Sequence, residues 1–104
     1  MPSFQIEYSA SDAGLIQMPS VETIGVATTI LDLHNNDIIS VPAHILNDLV
    51  LLESLDLADN RITMMPDVSK CTELQYLVLK GTPLTMISSN SVQSNTNVTG
   101  TGLV

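Results

Sequence analysis

With 104 residues the chain has room for one small domain, and a domain of this size buries only a modest core. Hydrophobic residues make up 44% of it but aromatics only 3%, so the core must be aliphatic, built from Leu, Ile, Val and Met. Eleven acidic residues stand against three basic ones, Arg61, Lys70 and Lys80; the net charge of −8 leaves no basic stripe for nucleic acid or an anionic membrane, while it admits a cationic partner.

The first segment, residues 1–14, has neither a basic region nor an apolar one, and does not read as a secretion signal. No apolar run reaches the ~18–20 residues needed to span a bilayer. Cys71 is alone and has no internal partner for a disulfide. The expectation from these features is a cytoplasmic, reducing setting. Asn97-Val98-Thr99 fits the glycosylation triplet, which carries little weight without secretion.

Four copies of one pattern follow in chain order. The first, Tyr8 to Pro19, is degenerate: Leu15, Met18 and Pro19 fit, whereas Ala10 and Ala13 replace the leucine and asparagine of the later copies. The second begins Leu31-Asp32-Leu33 and continues through Asn36 and Ile38 to Val41-Pro42. The third repeats every landmark 24 residues on, as Leu55-Asp56-Leu57, Asn60, Ile62 and Met65-Pro66. The fourth, 22 residues later, reads Leu77-Val78-Leu79, Thr82, Leu84 and Ile87. In each, alternation with period 2 puts two apolar side chains on one side of a short strand and the residue between them on the other. One such unit cannot cover its own apolar wedge, so successive units must stack into a solenoid with a parallel sheet along one face.

The best copy, Leu52-Glu53-Ser54-Leu55-Asp56-Leu57-Ala58-Asp59-Asn60-Arg61-Ile62, fills every position of LxxLxLxxNxL and resembles the leucine-rich repeat family. The spacing and the Met-Pro or Val-Pro that ends each of the first three units look most like intracellular arrays of the Ras-suppressor and phosphatase-regulator kind, with residues 71–84 similar to a closing repeat. The resemblance implies an α/β fold: a right-handed superhelix with a short parallel β-sheet on its concave face and short helical or 3₁₀ segments on its convex face. The domain reading is a repeat domain over 1–87, comprising a degenerate unit at 5–27 and clear units at 28–51, 52–73 and 74–87. Ser88 to Val104, rich in Ser, Asn, Thr and Gly, is expected to be a flexible polar tail.

Asn36 and Asn60 should bond the backbone groups that turn inward after each strand, and Thr82, with one hydroxyl, should tie its turn less well. Pro42 with Ile45, Leu46, Leu49 and Leu52 has helical spacing, which predicts a short convex helix. The return over 66–74 is two residues shorter and predicts a tighter turn or 3₁₀ segment. Cys71 falls where Leu49 stands one repeat earlier, which makes it a core residue rather than a reactive thiol.

The repeat phase also predicts columns across the concave face: Ser9, Asp32, Asp56, Val78; then Glu7, Ile30, Ser54, Tyr76; then Ser11, His34, Ala58, Lys80; and Asp12, Asn35, Asp59, Gly81. The candidate partner-binding residues are Asp32, His34, Asp56, Asp59, Tyr76, Val78 and Lys80: an acidic centre for a basic segment, with Tyr76 as an aromatic anchor. The expected function is a protein–protein interaction module. The alternative is a structural or capping piece of a larger array, packing end to end with further repeats or with itself. No enzyme is expected, although Asp32, His34 and Ser9 or Ser54 can be drawn as a triad, because nothing resembles a nucleophile elbow or an oxyanion hole. No cofactor is expected either; a divalent cation among Asp32, His34, Asp56 and Asp59 is a weaker reading, since flat neighbouring strands seldom complete a coordination sphere. His44 reads as a surface residue.

Overall fold

A computed structural model describes residues 4–85. The tail reading for 88–104, and the end of the fourth unit at Ile87, lie outside the described residues.

Four three-residue strands, β1 (Glu7–Ser9), β2 (Ile30–Asp32), β3 (Ser54–Asp56) and β4 (Tyr76–Val78), form one parallel sheet in the order β1-β2-β3-β4. The register pairs Tyr8, Leu31, Leu55 and Leu77 in one row and Ser9, Asp32, Asp56 and Val78 in the next. Parallel neighbours need a crossover between them, and each return segment supplies one, giving the α/β leucine-rich repeat solenoid that the pattern predicts. The degenerate first copy joins the sheet in the same register as the others.

The core is a stack of like positions. Leu31, Leu55 and Leu77 are buried behind the strands, with Leu33, Leu57 and Leu79 beside them and Ile38 and Ile62 beyond. The first copy seals less well, for Tyr8, Ala10 and Leu15 are only partly buried. Thr28 stands where Leu52 and Leu74 stand in later repeats. It is buried all the same, its hydroxyl donating to the Ile24 carbonyl at 2.8 Å.

The returns differ in length for a legible reason. The first holds a helical turn, α1 (Val21–Ile24), that no apolar periodicity in the sequence marks. Ser20 caps it by accepting the Thr23 N–H at 3.3 Å, and Gly25, at φ 96°, closes it. The second return holds α2 (Ala43–Leu46), shorter than its apolar spacing suggests, because from Leu46 onward the chain turns through i→i+3 bonds, Leu49 N–H to Leu46 and Leu52 N–H to Leu49. The third return repeats those two turns 22 residues on, as Cys71 N–H to Val68 and Leu74 N–H to Cys71. Between proline and the first of these turns, Pro42 to Leu46 has become Pro66 to Val68. The two missing residues therefore fall within the span that α2 occupies one repeat earlier.

Asn36 and Asn60 staple each repeat to the one before it. Asn60 accepts the Ile38 N–H at 3.0 Å and donates back to the Leu33 carbonyl at 3.0 Å, while also bonding Leu57 in its own repeat at 3.1 Å. Asn36 accepts from Ala13 and Leu15 and donates to the Ala10 and Leu33 carbonyls, all at 3.0 Å. Ala13 can therefore replace asparagine in the first copy, because no earlier repeat among the described residues calls for the staple. Thr82 donates only within its own repeat, to the Leu79 carbonyl at 2.6 Å. The seam between the last two repeats thus lacks the bonds that hold the two seams before it.

Cys71 is fully buried, and its thiol donates to the Leu46 carbonyl at 3.4 Å. Burial, with Asp67 adding to it, pushes that thiol up to about 11.

Candidate functional site: the concave face

The residues lying between the inward leucines face away from the core, and the parallel register sets them side by side. Asp32 on β2 pairs with Asp56 on β3, and Asp56 with Val78 on β4. Tyr76 stands two residues before Val78, hence on the same face of β4, and pairs with Ser54. Asp32, Asp56 and Val78 are half-buried, while Tyr76 and Lys80 are exposed. The face runs from an acidic pair at its centre to an aromatic and an aliphatic side chain on its last strand.

Both aspartates are held by the chain that follows them. Asp32 accepts the His34 N–H at 3.2 Å and Asp56 accepts the Ala58 N–H at 3.0 Å, so the same local bond recurs in successive repeats. His34 adds a second contact, its Nδ1 lying 2.6 Å from the Asp32 carboxylate. That bond raises the imidazole above its ordinary value of 6.5, against the opposing effect of desolvation, with the charges of Asp32, Asp56 and Asp12 adding to the pull. Ala58, the counterpart of His34 on the next repeat, is buried.

Asp59 plays a different part from Asp32 and Asp56. With Asp12 and Asn35 it occupies a left-handed turn, at φ 56° to 57°, and Gly81 takes the same repeat position at φ 77°. Asp, Asn and Gly are the residues that tolerate this conformation. The fourth predicted column is thus a row of turn residues at the lip of the sheet, marked in the sequence only by Asp, Asn, Asp and Gly at the repeat spacing. Within the row, the Asn35 amide bonds the Asp12 carboxylate, and the Asp59 carboxylate crowds the space over Gly81.

The carboxylate and imidazole atoms of Asp32, His34 and Asp56 approach within 4.8 Å of one another, and among the described residues they make the one such group of three. Asp59 is not part of it. Asp32 and His34 already bond each other, and both carboxylates accept backbone N–H groups. Ser9 pairs with Asp32, whereas Ser54 pairs with Ile30, two rows further from His34.

Strands, stacked leucines and asparagine staples together define a leucine-rich repeat domain. The chain belongs to that family: the leucine rich repeat family matches residues 27–84. Such domains are in general protein-interaction modules. Among curated proteins, the chain is 34% identical over 71 residues to Toll-like receptor 6 of Dasypus novemcinctus, covering 68% of this chain and 9% of that one. It is 41% identical over 61 residues to the leucine-rich repeat-containing G-protein coupled receptor 5 of Mus musculus, covering 59% of this chain and 6% of the receptor, and matches the Rattus norvegicus protein to the same extent. The chain spans less than a tenth of the length of these relatives. They support the repeat; they do not support the intracellular Ras-suppressor type in particular. No described helix is long and apolar enough to cross a membrane.

Proposed function

We propose that the chain binds a basic segment of a protein partner along the concave face, with cationic side chains over Asp32 and Asp56 and an apolar side chain on Tyr76 and Val78. The observation that carries this reading is the register, which sets Asp32, Asp56 and Val78 on adjacent strands with Tyr76 on the same face of the last one. Two carboxylates on neighbouring strands repel each other, and an incoming cation relieves that repulsion; the apolar end then supplies the contact area. Asp59 takes part at the lip, and Lys80 and His34 bound the acidic pair, setting where a cation is accepted. A cytoplasmic setting, and kinship with the intracellular arrays, go with this reading on the strength of the lone buried Cys71. Fractionation of cells producing the tagged chain checks them.

The test is recovery of the partner from a native cell extract. Charge reversal at Asp56 with Tyr76→Ala should abolish recovery while leaving the melting transition in place; unchanged recovery would overturn the proposal.

A second reading is favoured by the part-buried inward residues of the first copy, Tyr8, Ala10 and Leu15. Under it the chain is a segment of a larger array and packs end to end with further repeats. Sedimentation and thermal melting separate the two: a binding module is monomeric with a sharp melt, whereas an array segment self-associates or sharpens only when neighbouring repeats are added.

A further inference from the structure

The rim where the strands begin carries a second, differently built surface. Ile6, Thr29 and Glu53 each sit immediately before a strand, and Leu51 and Glu73 come from the ends of the return segments. With Phe4 and Ala27 they line an open groove of about 410 Å³. Phe4 is 87% exposed, and Leu51 and Ile6 nearly half exposed, so three large apolar side chains face water there. Chance exposure of single apolar residues is ordinary, but a concave group of them around one cavity is not.

We infer that this rim groove is a docking site for a peptide segment of a partner protein that inserts one aliphatic side chain between Phe4, Ile6 and Leu51 and places a flanking lysine or arginine on Glu53 and Glu73. Charge decides the occupant. Both charged side chains lining the groove are glutamates, and the whole chain carries −8. A second copy of the chain would bring the same charge to the groove, so self-association there is opposed. The backbone of the floor is already satisfied: the Ile6 carbonyl accepts from the Thr29 and Ile30 N–H groups, and the Ile6 N–H donates to the Thr29 hydroxyl at 2.9 Å. An added β-strand therefore finds nothing to pair with at this point, and recognition must come from side chains. The site does not depend on the concave face, since none of its lining residues belongs to the Asp32–Asp56–Val78 row.

Fluorescence anisotropy of the full chain tests it, with a dye-labelled peptide carrying one leucine between two lysines as probe. Ala27→Phe fills the groove from an exposed position, and Glu53→Gln with Glu73→Gln removes its charge while leaving the main chain untouched. Each variant should weaken binding by about tenfold, the loss expected when one leucine side chain or one paired cation stays in water. A control peptide with glutamates for lysines should not bind. The inference is overturned if the rim variants bind the probe as the parent does, or if binding is lost instead in Asp56→Asn, which would place the segment on the concave face. It is overturned equally if the chain ignores the peptide but sediments with neutral phosphatidylcholine vesicles.

Discussion

The Asp59 carboxylate fills the space that a side chain on Gly81 would need, one repeat further on at the same turn. Gly81 also has φ 77°, a conformation that costs any residue with a Cβ. Gly81→Ala should therefore destabilise the domain by about 2 kcal/mol, part from the backbone and part from the clash. Asp59→Gly keeps its own left-handed turn and clears the space. The double variant should lose less than the sum of the singles, a coupling readable by urea denaturation. Strict additivity would show that the carboxylate swings away at no cost.

The asparagine staples rank themselves by what they hold. Asn60→Ala orphans the Ile38 N–H and the Leu57 carbonyl in the buried middle of the stack, while the Leu33 carbonyl keeps its bond from Asn36, and should cost about 2–3 kcal/mol. Asn36→Ala affects the looser first copy and should cost less. Thr82→Asn offers the Leu57 carbonyl and the Ile62 N–H the bonds that Asn60 gives one repeat earlier, and should stabilise by about 1 kcal/mol. Thermal melts of the three variants check the order; a destabilised Thr82→Asn would mean that the last turn has no room for an amide.

Leu55-Asp56-Leu57 and its in-phase copies were enough to place every strand and its register, because period-2 alternation and a fixed shift leave one way to stack. The asparagine bonds and the buried Cys71 were legible for the same reason. What escaped was short and local. Four-residue helices such as α1 rest on one cap and one buried Ile24, too little to show as periodicity. The turn row of Asp12, Asn35, Asp59 and Gly81 was in view as a column, but its left-handed backbone is a property of main-chain path. The rim groove draws on Phe4, Leu51 and Glu73 from three separate segments, and only the folded chain brings them together.

The bond between His34 and Asp32 makes a titration. Its folded-state value lies above 6.5, so the bond contributes stability that is fully present below the unfolded value and is lost as pH rises through the folded one. NMR titration should place the His34 midpoint above 6.5, and Asp32→Asn should bring it down. If the concave face binds a basic segment, His34→Gln should bind more tightly than the parent at pH 6, where the imidazolium competes for Asp32, and by a smaller margin at pH 8.5. The same ratio at both pH values would remove His34 from any part in binding.

Cys71 gives a reading of the core from the opposite end of the pH scale. A thiol raised to about 11 from 9.0 has its thiolate fraction at pH 8 cut by about a hundredfold. Its complete burial adds a barrier of access. Alkylation by iodoacetamide at pH 8 should therefore be slow, and should rise with denaturant along the unfolding curve. Because the neutral thiol is the one the fold accepts, this residue leaves stability unchanged below pH 9 and erodes it as the pH climbs toward 11. Cys71→Ala should melt at a lower temperature at pH 7, having opened a small cavity under α2, yet lose less between pH 9 and 11 than the parent. Parallel pH curves for the two proteins would show that the thiol ionises as readily in the folded chain as in the unfolded one.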